Sequence, residues 1–341
     1  MDDGLIVEAT GGGVERASAA LGRGELVGMP TETVYGLAAD ALNERAVARV
    51  FEAKGRPRFD PLIVHVGDAG AAAGLVSEWP ERARLLAERF WPGPLTLVLP
   101  KRGLVPDLVT AGLDSVAVRC PEHPVALGLI RAFGGPVAAP SANRFGGISP
   151  TAAEHVVSEL GASVSLVLDG GPCGRGLEST VVGLTGERAT LLRPGALAIE
   201  LIEGVVGALE RVAASDNPSR PQVSPGRMDR HYAPRTPMLT FGAAVPDREI
   251  IVRAAGGADV PVALMTLGPG HPAAGVYGWH EQVVLSETGD LTEVAAGLFA
   301  ALRRLDEGSA GLIVAEHPIK ASGLGPAIRD RLARGSMVQS F

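Results

Sequence analysis

The chain has 341 residues, 46% of them apolar and 20% charged, with a formal net charge of −7. That composition excludes global disorder, and the acidic balance excludes a protein that simply coats nucleic acid by counterion release, so no stable nucleic-acid binding is expected. At about 150 residues per domain, the length fits two domains. Met1 to Thr10 carries three acids and no basic segment, and no apolar run nears the roughly 18 residues that span a bilayer, so a cytoplasmic protein without a membrane partner is expected. Cys120 and Cys173 are the only cysteines, in neither a CxxC nor a Cys/His spacing, so neither a disulfide framework nor a metal site is expected.

In chain order, a strand over Leu26 to Met29 leads through a Pro-Thr-Glu-Thr turn to a helix from about Glu44 to Lys54, capped by Asn43 and closed by Gly55-Arg56-Pro57. Pro61 opens an apolar strand, Leu62 to Val66. Further strands are predicted at Leu95 to Leu99, Ser115 to Arg119, Val137 to Ala139, Ser165 to Leu168 and Thr180 to Val182. Helices are predicted around Glu81 to Phe90, Pro124 to Phe133 and Thr151 to Leu160, the last capped from the Ser149-Pro150-Thr151 loop. Strands and helices mix without strict alternation, which predicts a twisted mixed sheet with flanking helices in an α/β protein. Ser215 to Pro237 holds five prolines and no apolar period, so it is expected to be a linker. Beyond Met238, strands near Val262 to Thr266, Val283 to Leu285 and Leu312 to Val314, with helices near Leu291 to Leu305 and Gly325 to Arg334, predict a smaller α/β domain.

Charge is distributed unevenly. Residues 1–210 hold 18 Lys/Arg against 25 Asp/Glu, whereas residues 211–341 hold 13 of each. Inside the acidic half, Arg45, Arg49, Lys54, Arg56 and Arg58 face only Glu52 and Asp60 across positions 45–60. A basic loop punctuated by Gly and Pro supplies one ammonium and two guanidinium forks, a donor set suited to polyphosphate. Another anion, or ordinary surface ion pairs, would also account for it. There is no GxxxxGK[ST] loop and no GxGxxG after a strand, so a nucleotide site must be built otherwise. Downstream, Ala139-Pro140-Ser141-Ala142-Asn143, Gly146 to Thr151, Glu178-Ser179-Thr180 and Leu192-Arg193-Pro194-Gly195 place hydroxyls and arginines at strand ends, where ligands collect in α/β sheets.

PTETVYGL, KGRPRFDPLIVHV, APSANRFGGISPT, ESTVV and LRPG, followed by SPGRMDRHYAP, together resemble the long, two-domain form of the L-threonylcarbamoyladenylate synthases, within the YrdC-like family. The resemblance runs in order over about positions 14 to 240, and Leu298 to Ser336 is similar to the family's accessory domain. It implies a YrdC-like catalytic domain over 1–210, a linker or lid over 211–237, and a Rossmann-like α/β accessory domain over 238–341. The implied activity joins L-threonine, bicarbonate or carbon dioxide, and ATP, with magnesium, into threonylcarbamoyl-AMP and pyrophosphate, for transfer to tRNA by a threonylcarbamoyl-transfer complex. By the same resemblance, Thr33, His65, Arg119, the backbone near Ala139, and Ser179 line the threonine pocket. Arg56, Asp60, Ser115, Ser141, Ser149, Arg193 and Tyr232 line the ATP pocket, and Lys54 and Arg56 are expected to carry the catalytic charge stabilisation.

Three points temper that transfer. His65 alternates with apolar residues and fits a satisfied core histidine equally well. Asp60 stands where the family commonly has Asn, and a carboxylate repels phosphate; the alternatives are a ribose contact, a pairing with Arg56 or Arg58, or an approach to magnesium. The Ser224 to Pro234 segment is expected to fold over the cleft with Tyr232 on the nucleotide, against the plainer reading of a flexible spacer. Two other functions are less consistent with these residues. A carbamoyl-adenylate-dependent carbamoyl transferase of the same fold would carry zinc-finger segments, which two cysteines do not supply, and an RNA-binding module conflicts with the acidity of residues 1–210.

Overall fold

The computed structural model describes residues 4–211, 231–275 and 277–336. The chain divides into two compact units: Met1–Phe145, Ser149–Gly174 and Glu178–Arg227 form the first, and Gly146–Ile148, Arg175–Leu177 and Met228–Phe341 the second. Most of the expected linker over 211–237, including Ser224 to Arg230 of its motif, lies outside the described residues.

The first unit's strands are β1 (Ile6–Glu8), β2 (Val27–Met29), β3 (Gly36–Asp40), β4 (Ile63–His65), β5 (Leu95–Pro100) and β6 (Ser115–Arg119). They continue with β7 (Val137–Ala138), β8 (Leu166–Asp169), β9 (Thr180–Gly183), β10 (Thr190–Arg193) and β11 (Glu210–Arg211). Its helices are α1 (Gly11–Gly22), α2 (Glu44–Lys54), α3 (Ala69–Leu75), α4 (Glu81–Phe90), α5 (Asp107–Thr110), α6 (Pro124–Phe133), α7 (Ala153–Leu160) and α8 (Ile199–Val206). Among the described residues the strands make one eleven-stranded sheet in the order β1-β8-β2-β3-β7-β4-β6-β5-β9-β10-β11. Parallel pairs (β4 with β6, β5 with β9) mix with antiparallel ones (β5 with β6, β3 with β7), so the expected twisted mixed sheet with flanking helices is present.

Helix α2 shows how the sequence dictates this architecture. The Asn43 side chain accepts from the amides of Arg45 and Ala46, as its position predicted, and Gly55 closes the helix at φ 60°. Val47, Val50, Phe51 and Lys54 fall on one buried face at helical spacing. The apolar stripe therefore ends in an ammonium, and packing of the stripe carries the charge inward. Strand β4 is buried at all three positions, as expected of a strand covered on both faces. Its Val64 and the preceding Leu62 join Leu97, Val116 and Val118 in the main core.

The loop before α7 departs from expectation. That helix starts at Ala153 after Ala152 with no side-chain cap, so neither Ser149 nor Thr151 caps it. β1, α1, β3, β10 and α8 were also unforeseen: Gly-rich and Ala-rich stretches such as Gly11–Gly22 and Gly36–Asp40 carry weak local preferences that tertiary packing overrides.

The second unit contains β12 (Met238–Phe241), β13 (Val262–Thr266), β14 (Glu281–Val284) and β15 (Leu312–Glu316), with α9 (Arg248–Ala255), α10 (Leu291–Glu307) and α11 (Gly325–Gly335). Its strands are all parallel in the order β12-β15-β13-β14, the expected Rossmann-like arrangement. Tyr232 belongs to this unit, with φ 61°, its ring stacked 5.7 Å from Phe299 and lying under the Arg331 guanidinium at 4.9 Å.

Asn43→Ala is expected to remove about 1 kcal/mol of stability by uncapping α2. Urea unfolding checks this as a lower midpoint with an unchanged slope.

Candidate active site

The basic loop after α2 folds inward. Lys54 is 3% exposed, and its Nζ donates to the carbonyls of Ser141 and Asn143, each at 2.5 Å. The Phe145 amide donates to the Lys54 carbonyl at 2.9 Å, so the helix end and the Ser141–Phe145 loop are joined from both sides. Arg56 donates from Nε to the Asp60 carbonyl (3.1 Å) and from Nη2 to the Pro61 carbonyl (2.8 Å). Its Nη2 also lies 2.9 Å from Asp60 Oδ2 in an ion pair with almost no exposure on either side, and its guanidinium sits 6.0 Å from the Phe145 ring.

Electrostatics here are set by burial. Loss of water pushes the Asp60 carboxyl up from its ordinary value, and Arg56, Lys54 and Arg193 pull it back only in part. Burial, reinforced by Arg56, holds the Lys54 ammonium well below its usual range, with Asp60 and Glu159 opposing. Three basic side chains thus act on the buried Asp60 carboxyl in a medium of low dielectric. Such a place favours an anion, which supplies counter-charge and raises the Lys54 pKa toward normal.

A second cluster forms where β4 and β6 end side by side, with His65 in register with Arg119. Arg119 is 3% exposed and donates to Thr33 Oγ1 at 2.9 Å, Glu32 Oε1 at 2.6 Å and the Gly93 carbonyl at 3.2 Å. Thr31 and Thr33 share a hydroxyl hydrogen bond of 2.8 Å. Burial raises the Glu32 carboxyl, but Arg119 by charge and hydrogen bond, aided by backbone amides, outweighs it, and the net shift is downward. Burial first, and then Arg119, lowers the His65 imidazole to about 3, so it is neutral at physiological pH. Among the described residues His65 Nδ1 makes no hydrogen bond of good geometry, while the Ile63 and Val137 backbone acts on the ring in the direction opposite to burial.

Ser179 extends this region: its Oγ bonds Thr96 Oγ1 at 2.7 Å, while Arg193 Nη2 donates to the Ser179 carbonyl at 2.9 Å. Gly195 makes that approach feasible, because a Cβ there would lie 2.3 Å from the Glu178 carbonyl oxygen. Ser149 Oγ donates to Glu178 Oε1 at 2.5 Å.

Of the residues expected to hold threonine, Thr33, His65 and Arg119 are brought together, Ala139 is bonded through its amide to the Ile63 carbonyl, and Ser179 is tied to Arg193. Of those expected to hold ATP, Arg56 and Asp60 form the buried pair, and Ser141 presents its carbonyl to Lys54. Ser149 bonds Glu178 instead of capping α7. Ser115 starts β6 opposite Pro100, so the length of that strand separates it from Arg119. Tyr232 lies in the second unit. Glu32, Thr31, Thr96 and Glu178 received no role from the sequence. Glu32 lay inside a quoted motif, but its partner Arg119 is 87 positions away, beyond the reach of any local pattern.

In chemical terms, an α/β sheet whose strand ends gather buried arginines, hydroxyls and a buried lysine has the donor set that suits small anionic ligands. Residues 19–195 match a family model described as Telomere recombination, for the Sua5, YciO and YrdC proteins, and residues 197–336 match one described as Threonylcarbamoyl-AMP synthase, C-terminal domain. A threonylcarbamoyl-AMP synthase of Bacillus subtilis (strain 168) is 41% identical over 324 residues, covering 95% of this chain and 92% of the relative. One of Pyrococcus abyssi (strain GE5 / Orsay) is 42% identical over 321 residues, covering 94% and 93%. The crystal structure of P. abyssi Sua5 complexed with L-threonine resembles this chain with a TM-score of 0.88 at 39% identity, covering 99% of this chain and 98% of that one. The chain belongs to the threonylcarbamoyl-AMP synthase family, as its motifs implied.

Two outcomes follow from the buried charges. Asp60→Ala strands the Arg56 guanidinium and is expected to cost about 3–5 kcal/mol of stability, with Asp60→Asn costing less because its amide oxygen still accepts; denaturant titration of both variants checks the order. For His65, the folded pKa of about 3 lies below the unfolded value of 6.5, so the unfolded chain binds the extra proton between those limits. Stability therefore rises with pH across that window and is flat in this respect above it. His65→Asn is expected to flatten that slope by about one proton, read from stability measured between pH 4 and 7.

Proposed function

We propose that this chain condenses L-threonine, bicarbonate or carbon dioxide, and MgATP into threonylcarbamoyl-AMP and pyrophosphate, and that the product supplies a tRNA threonylcarbamoyl-transfer complex in the cytoplasm. The observation that carries the reading is 41–42% identity with threonylcarbamoyl-AMP synthases across nearly the whole chain. The threonine bound in the P. abyssi relative supports the amino-acid half.

In this reading the Arg119 guanidinium takes the threonine carboxylate, with Thr33, the Ala139 backbone and Ser179 around it, while neutral His65 bonds the hydroxyl. The amine attacks the carbon of carbon dioxide and its proton leaves to solvent, or it attacks that of bicarbonate and its proton departs in the water that is lost. A carboxylate oxygen of the resulting carbamate then attacks the α-phosphorus, and pyrophosphate departs. Both reactants are anions, so the step depends on fixed positive charge and on shielding the labile carbamate from water. Lys54, Arg56 and Arg193 supply that charge, with Ser141, Ser149 and Ser115 as nucleotide contacts. Lys54 spends two of its three protons on loop carbonyls, which leaves one for a phosphate oxygen.

Magnesium enters as part of the MgATP substrate. Among the described residues no group of three or more His, Cys, Asp or Glu is arranged to hold a metal ion, and Asp60 is paired with Arg56. No helix among the described residues is long and apolar enough to cross a membrane.

Pyrophosphate release is expected to require threonine and bicarbonate together, and Lys54→Ala or Arg56→Ala to lose on the order of 10²-fold or more in rate, with thermal melts confirming folded variants. Release independent of threonine, or near-normal turnover in both variants, overturns the reading.

A further inference from the structure

The second unit holds a cavity of about 420 Å³ that the proposed reaction does not use. It lies where β12, β13 and β15 end, and its volume falls within the roughly 300–1,000 Å³ of small-molecule sites. The order β12-β15-β13-β14 means that the chain runs outward from β13 to β14 and then returns to insert β15 between β12 and β13. Ligands of open parallel sheets bind outside the carboxyl ends of the strands, at such reversals of direction.

The polar groups there define a chemistry. His271 Nδ1 accepts from the Ala273 amide at 3.0 Å, so the neutral ring carries its proton on Nε2. That Nε2 stands 3.8 Å from Glu316 Oε1, while Glu316 Oε2 is occupied by the Leu267 amide at 2.9 Å. A separation of 3.8 Å is too long for a direct hydrogen bond. One hydroxyl between the two satisfies both, accepting from the imidazole and donating to the carboxylate. The remaining wall is largely apolar, with Leu291, Pro318 and Ile319 on it and Lys320 at its rim.

This wall is fixed in place. Arg329 donates to the carbonyls of Pro318, Ile319 and Lys320, each at 3.0 Å, and Gly242 admits the loop because a Cβ there would come within 3.2 Å of His317 and Ile319. The start of α10 is not open to phosphate, since the Asp290 side chain already accepts from the amides of Thr292 and Glu293. A hydroxyl clamp beside an apolar shelf suits a sugar joined to a flat ring.

We propose that this cavity binds a ribonucleoside, with a ribose hydroxyl bridging His271 and Glu316 and the base lying on Leu291 and Ile319. Hydrogen exchange of the full chain with adenosine tests it: protection is expected in segments 266–275 and 316–320, absent or at least tenfold weaker with 2′,3′-dideoxyadenosine. Glu316→Gln, which keeps an acceptor for Leu267, is expected to raise the half-saturating adenosine concentration at least tenfold. Ile319→Ser, at a position 66% exposed and so harmless to folding, should raise it several-fold. Equal protection by the dideoxynucleoside, no protection in these segments at millimolar adenosine, or indifference to both substitutions overturns the proposal. Such a failure with threonine-dependent pyrophosphate release intact leaves the proposed function standing.

Discussion

The candidate site rests on the basic groups gathered around the buried Asp60. Lys54 is drawn inward because it completes the apolar stripe of α2, and the desolvation that follows is offset by two carbonyls of the Ser141–Asn143 loop. Arg56 is offset by Asp60 and two carbonyls of its own loop. The Asp60 carboxylate faces Lys54, Arg56 and Arg193 together, so the folded chain holds basic groups that water no longer solvates fully. The proposed affinity for a polyanion then follows from how α2 packs. In that reading the ligand replaces lost solvation and favours the proton that burial makes Lys54 reluctant to hold.

The Arg119 cluster solves the opposite problem. Its guanidinium is matched by the ionised Glu32 and the Thr33 hydroxyl, and His65 beside it is neutral, so the group is balanced before any ligand arrives. Free threonine is a zwitterion with no net charge, and a balanced, pre-oriented fork suits it as an overcharged pocket would not. The two clusters therefore differ in the way their proposed ligands differ, although both occupy buried strand and helix ends of one sheet.

Much of this was legible in the chain. Glu44–Lys54, Glu81–Phe90 and Pro124–Phe133 carry strong periodicity with clear ends and formed as predicted. The apolar run through Ile63–His65 marked a strand covered on both faces. What stayed hidden was of two kinds. Gly11–Gly22 and Gly36–Asp40 have weak intrinsic preference, and tertiary contact decides their state. Partnerships such as Glu32 with Arg119, Thr96 with Ser179, and Ser149 with Glu178 join residues 29 to 87 positions apart, and residue type alone does not choose among the available partners. The Asp60 pairing with Arg56, four positions away, stood among the alternatives that residue type left open; its complete burial did not.

That pairing also bears on why a carboxylate is tolerated beside the proposed phosphate site. Asp60 lies 2.9 Å from the Arg56 guanidinium, so the repulsion a lone carboxylate exerts on a phosphate is offset at its nearest neighbour. Arg56 also donates to the Asp60 and Pro61 carbonyls, which holds the fork in one orientation before any ligand arrives. In the proposed reaction Asp60 is therefore a positioning residue for Arg56, and an amide at that place keeps an acceptor but loses the ion pair.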